Sequence, residues 1–246
     1  MNKKRNIFFI IIAFIVSTFF VIILTNYYIN KKQKELLNSI YESTHKNIFE
    51  KTQNLINDKQ NTSLAIAISL SKDETLYTHL KNRDFEKLNY IKIAKLIETN
   101  SKYKNIWIQI FDSNLNSVYR SWTNIRGSLN FRPDLKKVEA LKNISTSISA
   151  GLFNIGIRAR TPIFDENNNF YGALEVVTHF DSITEDLVKN NISPVVIGDK
   201  SIRKNLTNPL LSKLFIDDYY IANENVDMNL YNYIKENGVE KYINID

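Results

Sequence analysis

The first strong pattern in the sequence is an apolar run from Ile7 to Leu24, which contains no charged residue, glycine or proline. An α-helix rises about 1.5 Å per residue, so roughly 20 such residues cross the ~30 Å hydrocarbon core of a bilayer. The apolar part of a cleaved signal peptide is shorter, about 7–15 residues, and no small-x-small cleavage site follows this run. The run therefore predicts an uncleaved transmembrane signal anchor over residues 7–25 and argues against a buried core helix.

Basic and aromatic residues flank this predicted span. Residues 3–5 are Lys-Lys-Arg, and Tyr27 and Tyr28 follow the span where interfacial aromatic residues are common. Because short basic N-termini tend to stay in the cytoplasm, we expect residues 1–6 to be a cytoplasmic tail. Lysines at positions 31, 32 and 34 oppose this bias. We expect the chain from about residue 26 onward to lie outside the cytoplasm, as in a single-pass membrane protein.

A helical repeat of apolar positions continues over residues 26–71 and predicts a stalk helix. Apolar residues recur at helical spacing, and charged residues occupy the opposite face. The repeating apolar positions include Leu36, Leu37, Ile40, Tyr41, Ile48, Phe49, Leu55, Ile56, Leu64 and Ile68. This stripe packs either on the domain that follows or on a second copy of the chain, and the sequence leaves both open. The second arrangement predicts a homodimer formed through the stalk.

The next part of the chain, residues 72–190, predicts one α+β domain. A helical pattern covers about 73–100, with Asp84 as an N-cap within it. Alternating and β-branched patterns then predict five strands, at about 105–111, 117–122, 147–153, 157–164 and 170–178. Short helices are expected at about 133–143 and 181–190. We therefore expect a five-stranded antiparallel sheet with long helices on one face and a pocket between the sheet and the helical excursion.

Residues 191–246 predict a further, smaller α/β unit. A strand is expected at about 195–197, another within 213–222, and a helix at about 227–237. Fewer than 60 residues rarely build an independent core. We therefore expect a partial second lobe.

Composition narrows the function classes. The net charge of +6 is spread along the chain and forms no block, so nucleic acid is not an expected partner. The sequence has no cysteine, which excludes thiol catalysis, cysteine-bound zinc and disulfides. Its three histidines are far apart, and no P-loop, GxSxG or HExxH motif is present. We expect no catalytic site, metal or cofactor, and hence no enzyme.

Arginine is concentrated in the predicted sheet domain. The candidate ligand-binding residues are Arg120, Trp122, Arg126, Arg132, Arg158 and Arg160. Arg158 and Arg160 share one face of a predicted strand, because side chains alternate with period two. Guanidinium groups bind carboxylates bidentately, and an indole supplies a flat apolar wall, so this set predicts a site for a small organic anion. In the alternative interpretation, these arginines are solvated or tie loops to the chain's own carboxylates at Asp134, Asp165 or Glu175.

Several motifs of this region together resemble a known family. They are Phe111-Asp112, Arg120-Ser121-Trp122, Gly127, Arg132-Pro133-Asp134, Gly151, Gly156 to Phe164, and Gly172 to Val176. With these motifs, the stretch from Trp107 to Leu187 resembles a Cache sensory domain, of the double-Cache type found in bacterial two-component sensor kinases. The resemblance implies a PAS-like antiparallel sheet outside the cytoplasm, preceded by a long stalk helix. Such domains bind small molecules and pass a signal through the membrane.

The resemblance implies the ligand-sensing domain of a bacterial receptor of the sensor-kinase or chemoreceptor type, anchored in the inner membrane. The Arg-x-Trp pair is similar to that of the amino-acid-binding Cache subgroup, so an organic anion or an amino acid is the implied ligand. Such receptors normally continue into a complete second lobe, a second span and an output module. We therefore expect either a truncated receptor or a tethered sensor. An alternative from another class is a membrane-tethered periplasmic interaction or scaffold protein without a small-molecule ligand.

Overall fold

The computed structural model describes residues 2–243 of the chain. Met1, from the predicted cytoplasmic tail, and residues 244–246, from the predicted second lobe, lie outside the described residues. Helix α1 covers Asn2–Ser71 and contributes to two compact units, which divide after Gln53. The predicted span and the predicted stalk both fall within α1.

The first unit is helical and carries the apolar run. Most of the large apolar side chains between residues 7 and 24 are exposed. Within the described residues, α1 is the one helix that is long and apolar enough to cross a membrane, with a mean hydropathy of 3.2 over 18 residues. This criterion uses the length and the amino-acid composition of the helix only.

The hydroxyl groups of this apolar segment are bonded within the helix. Ser17 and Thr18 both donate to the carbonyl oxygen of Phe14, and Thr25 donates to that of Val21, each at 2.8 Å. Hydrocarbon offers no hydrogen-bond partner, so a polar group inside a bilayer has to be satisfied within the protein. These hydroxyls meet that requirement.

An antiparallel sheet of six strands forms the centre of the second unit. The strands are β1 (Trp107–Asp112), β2 (Asn116–Arg120), β3 (Gly127–Ser128), β4 (Ser145–Ala150), β5 (Ile155–Phe164) and β6 (Phe170–Thr178). Their order across the sheet is β3-β2-β1-β6-β5-β4. The five predicted strands are present, but the sheet has six strands, not five. The additional edge strand, β3, has two residues and is too short to show a periodic pattern.

Five helices accompany this sheet. Besides α1 they are α2 (Leu76–Asn82), α3 (Tyr90–Asn100), α4 (Pro133–Leu141) and α5 (Asp181–Val188), and a 3₁₀ turn covers Phe85–Leu88. The predicted single helical stretch at 73–100 is therefore wrong, because it is divided into three parts. Arg83 and Asn89 separate these parts, with φ angles of 56° and 52°. This left-handed conformation ends a helix.

One face of the sheet packs against the helices. The buried residues in this core include Ala67, Leu76, Leu80, Tyr90, Ala94, Ile108, Ile110, Tyr119, Ala159, Leu174 and Val176. The residues of β1, β5 and β6 that contribute to it lie at alternate positions along each strand, as the pleat of a strand requires. Helices α1, α2 and α3 therefore cover this face, as the sequence predicts for the long N-terminal helices.

The other face of the sheet is enclosed by residues 121–154, called here the covering segment. This segment contains α4 and also forms the two edge strands of the sheet, β3 and β4. Leu129, Leu135 and Val138 of this segment pack on Phe111 and Ala173 of the sheet. The charged residues of β5 and β6 also lie on this face. The covering segment therefore buries a polar surface together with its apolar contacts.

Residues 191–243 add a three-stranded sheet to the second unit. It contains β7 (Ile197–Gly198), β8 (Phe215–Ile216) and β9 (Tyr219–Ile221), in the order β7-β9-β8, and is followed by α6 (Met228–Asn237) and α7 (Glu240–Ile243). Asp227 caps α6 by accepting hydrogen bonds from the backbone nitrogens of Asn229 and Leu230. Tyr220 and Ala222 share a core with Ile155, Ile157 and Phe180. The hydrophobic core of this region is therefore continuous with residues of the larger sheet.

Gly172 marks a close approach between β6 and β1. A Cβ at this position would overlap the carbonyl oxygen of Phe111 and press on Leu80. We expect Gly172→Ala to lower the free energy of unfolding by about 1–3 kcal/mol, the usual cost of overpacking. Thermal unfolding measures this cost, with Ser113→Ala in the exposed β1–β2 turn as the control, for which less than about 0.5 kcal/mol is expected. Equal effects of the two substitutions would contradict the close approach.

Candidate functional site

A fully buried carboxylate, Glu175 in β6, lies at the centre of the covered face. Its Oε1 accepts hydrogen bonds from Nη1 of Arg132 at 3.1 Å and Nη1 of Arg158 at 3.0 Å. Its Oε2 accepts from Nη2 of Arg132 at 2.8 Å and Nε of Arg160 at 2.7 Å. The register of β5 and β6 sets Arg160 directly opposite Glu175. One carboxylate thus holds three guanidinium groups, one of them bidentately.

Asp134, in the first turn of α4, supplies a second carboxylate. Its Oδ1 accepts from Nε of Arg132 at 3.2 Å, and its Oδ2 accepts from Nη2 of Arg132 at 2.7 Å. Ser149 in β4 donates to the same Oδ2 at 2.8 Å, and Nη2 of Arg160 also bonds it. A carboxylate in the first turn is also favoured by the helix dipole. Asp134 therefore ties α4 and β4 to the sheet.

The surrounding charges keep both carboxylates ionised. Burial alone would raise the pKa of Glu175, but the guanidinium groups of Arg132, Arg158 and Arg160 lower it to about 2. Burial also opposes ionisation of Asp134, yet Arg132 and Arg160 hold the pKa of this carboxyl well below its usual range. Burial lowers the pKa of Arg158 to about 10. Both carboxylates and Arg158 are therefore charged at neutral pH.

Arg120 adds a fourth buried guanidinium group, and this one has no carboxylate partner among the described residues. Its Nη1 donates to the carbonyl oxygen of Ile125, and its guanidinium carbon lies 5.2 Å from the ring centre of Phe153 and 5.9 Å from that of Trp122. Burial lowers the pKa of Arg120 to about 10, with the charge of Arg126 acting in the same direction. Four guanidinium groups and two carboxylates leave two excess positive charges in this buried region.

A small cavity of about 10 Å³, called here the arginine cavity, adjoins the cluster. It is lined by Gln109, Arg120, Trp122, Leu129, Arg132, Gly151, Leu152, Phe153, Asn154 and Arg158. The aromatic wall is well packed, since Trp122 stacks on Trp107 with ring centres 4.6 Å apart and planes at 9°. Phe153 meets Trp122 edge-on at 6.0 Å. The volume corresponds to about one water molecule.

Four residues that line the arginine cavity have a buried polar atom without a hydrogen-bond partner, and all four atoms are donors. They are Nε2 of Gln109, Nε of Arg120, Nε1 of Trp122 and Nδ2 of Asn154. The amide of Asn154 is oriented by Arg158, whose Nη2 donates to its Oδ1 at 3.1 Å. A water molecule accepts about two hydrogen bonds, so one water would leave some of these donors unpaired. Excess positive charge and unpaired donors make this cavity complementary to a small anion.

The structure places four of the six predicted site residues around the arginine cavity. These are Arg120, Trp122, Arg132 and Arg158. Arg160 belongs to the same cluster but bonds only the two carboxylates and Ser147. Arg126 lies elsewhere, exposed on the loop after β2, where its Nε donates to the carbonyl oxygen of Val118 at 3.0 Å.

Three of the predicted arginines also make the internal contacts of the alternative interpretation. Arg132, Arg158 and Arg160 pair with Glu175 or Asp134. Asp165, the third candidate partner, instead stabilises the β5–β6 turn through backbone hydrogen bonds. Arg120 makes no ion pair within residues 2–243. Among the four arginines of the buried cluster it is therefore the one most available to a ligand.

Sequence reasoning missed Gln109, Phe153 and Asn154. Gln109 could have been found, because a single amide interrupts the otherwise apolar strand from Trp107 to Phe111. In the structure its side chain is buried, with 2% exposed. Asn154 has the appearance of a turn residue between β4 and β5, and Phe153 that of a core residue. Among residues 2–243, no three His, Asp or Glu side chains are grouped as a metal site.

The strand that carries Glu175 is also joined to α1. Thr178 of β6 and Ser63 of α1 share a hydrogen bond with 2.8 Å between their hydroxyl oxygens. Lys59 of α1, which is 2% exposed, donates to the hydroxyl of Ser182 in α5. Burial lowers the pKa of Lys59 to about 7, against the opposing charge of Asp181. These buried polar contacts connect β6 and α5 with α1.

Comparisons with known proteins give similarities of fold. No protein-family model matches the chain, and no curated protein matches it. The Escherichia coli DcuS sensor domain has a TM-score of 0.42 and 19% identity, covering 56% of this chain and 98% of that chain. The Vibrio cholerae histidine kinase DctB sensor domain has a TM-score of 0.47 and 15% identity, covering 72% and 73%.

The ligand-binding domain of the Campylobacter jejuni chemoreceptor Tlp3, solved in complex with L-valine, has a TM-score of 0.40 and 21% identity, covering 72% of this chain and 78% of that chain. These three structures are sensor or ligand-binding domains.

Replacing the central carboxylate tests the charge cluster. Glu175→Gln leaves buried guanidinium groups without their partner, and we expect a loss of about 3–5 kcal/mol at pH 7. A carboxyl whose pKa is depressed by folding stabilises the protein above its unfolded pKa of about 4.3. That stabilisation is lost as the pH falls toward the folded value of about 2. Wild-type stability should therefore decline between about pH 5 and pH 2 more steeply than that of the variant.

Thermal unfolding across this pH range measures both effects. Glu50→Gln is the matched control, because Glu50 is exposed and its Oε1 lies 3.9 Å from Nζ of Lys46. Such a surface ion pair contributes little, so we expect the free energy of unfolding to change by less than about 1 kcal/mol. A Glu175→Gln variant that is as stable as the wild type at pH 7, with the same pH dependence, would refute the account of the cluster.

Proposed function

We propose that this chain is the sensing region of a membrane-anchored bacterial signal-transduction receptor and that it binds a small organic anion in the arginine cavity. The observation that carries this proposal is the buried excess of two positive charges beside four unpaired donors. An anion in this cavity would offset the excess charge and accept hydrogen bonds from the donors. A purely structural ion cluster would have no use for unpaired donors.

The chemistry of the walls favours the carboxylate of an organic acid or of an amino acid. Arg120 offers a guanidinium group without a carboxylate partner, and Asn154 and Trp122 offer further donors. Trp122 and Phe153 provide apolar surface for a short carbon chain. The cavity holds about one water as it stands, so a ligand of this class requires it to widen. Since the covering segment supplies most of its wall, binding would move this segment.

Movement at the cavity has a route to α1. Glu175 and Thr178 belong to the same strand, and Thr178 and Ser182 bond Ser63 and Lys59 of α1. The same helix contains the apolar run. In the proposed receptor, ligand binding shifts α1, and a homodimer formed through the stalk carries the shift to the membrane. The receptor is of the sensor-kinase or chemoreceptor type.

Ligand binding is tested with the full chain in lipid nanodiscs. A thermal-shift screen against mono- and dicarboxylates and the α-amino acids should give at least one stabilising compound. At 100 times its Kd, such a compound stabilises the protein by about 2.7 kcal/mol. Arg120→Met and Asn154→Ala should reduce the shift strongly, since each removes a donor of the cavity. Arg126→Met, outside the cavity, is the matched control and should retain it.

Two results would count against this proposal. One is a folded chain that no compound of either class stabilises, which favours the alternative of a tethered scaffold protein without a ligand. The other is a compound whose effect survives both cavity substitutions, because it must then bind elsewhere.

The proposed location places the sensing domain outside the cytoplasm, in a single-pass protein of the inner membrane. The basic residues 3–5 before the apolar run support this orientation. Alkaline phosphatase fused after Asp246 should be active, because it forms its disulfides only after export. β-Galactosidase at the same position should be inactive. The opposite pair of results would reverse the orientation and remove the extracytoplasmic sensor from consideration.

A further inference from the structure

A second, larger concavity lies beside the edge of β2, where the 3₁₀ turn and α3 face β2 and the loop that follows it. This groove has a volume of about 690 Å³. Small-molecule sites usually occupy about 300–1,000 Å³, whereas the arginine cavity holds about one water. The groove is called here the edge groove. Its size admits a ligand with a ring.

The edge groove is strongly basic. Its cationic side chains are Arg83, Lys92, Lys95, Arg120 and Arg126. Glu86 is the one carboxylate among the described residues that line it. None of the five cations forms an ion pair within residues 2–243, whereas the neighbouring Lys87 pairs with Asp84 at 2.5 Å. Unpaired charges of one sign around a concave surface raise the local concentration of anions.

Aromatic side chains supply the apolar part of the edge groove. Phe85, Tyr90 and Tyr119 line it, and the ring centre of Tyr119 lies 6.1 Å from that of Phe85 and 5.9 Å from that of Tyr90. The guanidinium carbon of Arg126 lies 6.0 Å from the centre of the Tyr119 ring. The hydroxyl of Tyr90 is buried without a partner. A flat ring can pack on such a surface while its charge meets the cations.

We propose that the edge groove is a second binding site, adjoining the arginine cavity through the shared side chain of Arg120, for a flat organic anion of the aromatic carboxylate class. Lys92 and Lys95 lie three residues apart on exposed positions of α3, so both reach the same ligand from one side. Arg126 reaches it from the other side, held in place by donating to the carbonyl oxygens of Val118 and Thr123. This inference does not depend on the ligand of the arginine cavity.

The probes are three fluorinated compounds observed by ¹⁹F NMR with the full chain in lipid nanodiscs. 4-Fluorobenzoate has both the ring and the charge, 4-fluorobenzamide has no charge, and fluoroacetate has no ring. We expect 4-fluorobenzoate to show line broadening that saturates. The other two probes should bind about tenfold more weakly or less, since each lacks one of the two contributions.

Variants then locate the bound probe. Lys92→Glu with Lys95→Glu should weaken 4-fluorobenzoate binding about tenfold or more. Lys136→Glu with Lys137→Glu is the matched control, because it makes the same charge change at exposed positions of α4 outside the groove. Asn154→Ala alters the arginine cavity alone. The last two variants should bind as the wild type does, and thermal unfolding checks that each variant is folded.

Four outcomes overturn the proposal. They are no binding of 4-fluorobenzoate, equal binding of 4-fluorobenzamide, equal weakening by the control pair on α4, and loss of binding in Asn154→Ala with retention in the variant of α3. The last outcome would place the probe in the arginine cavity and leave the proposed function intact. Conversely, a screen in which only the non-aromatic acids and amino acids fail to stabilise the chain has no bearing on the edge groove.

Discussion

The buried carboxylate of Glu175 is the constraint on which the covered face of the sheet depends. A charge without access to water is very costly unless it is paired and hydrogen-bonded. Glu175 meets this condition with guanidinium groups from β5 and from Arg132, at the start of α4. Arg132 in turn positions Asp134, which fixes β4. The covering segment is therefore held by charges at least as much as by its apolar contacts.

The same cluster is unbalanced, and this imbalance connects structure with function. A buried network that serves only stability is normally satisfied in all its members. Within residues 2–243 Arg120 has no acidic partner, and the donors of Gln109, Trp122 and Asn154 are unpaired on one side of the cluster. The fold thus concentrates excess positive charge and unpaired hydrogen-bond donors around the arginine cavity. The contacts of Thr178 and Ser182 with α1 connect β6 and α5 to the helix that contains the apolar run.

Much of the sheet could be predicted because alternation records which face of a strand is buried. Arg158 and Arg160 were assigned to one face by the same rule, and both bond Glu175. Other features leave no local signal. Arg83 and Asn89 end helices in a left-handed conformation although neither is a glycine. Arg126 lies outside the cluster, on the exposed loop after β2. The unpaired donors emerge only when distant segments meet.

The indole N–H of Trp122 offers the most direct test of the central claim, that the arginine cavity binds a small organic anion. The chain has two tryptophans, Trp107 and Trp122, so ¹⁵N-labelled indole groups give two NMR resonances. Nε1 of Trp122 has no hydrogen-bond acceptor among residues 2–243. When a stabilising organic acid or amino acid is added, the resonance of the Trp122 indole N–H proton should shift downfield. The Trp122→Phe variant assigns this resonance. A saturating ligand that leaves this resonance unmoved would contradict the account.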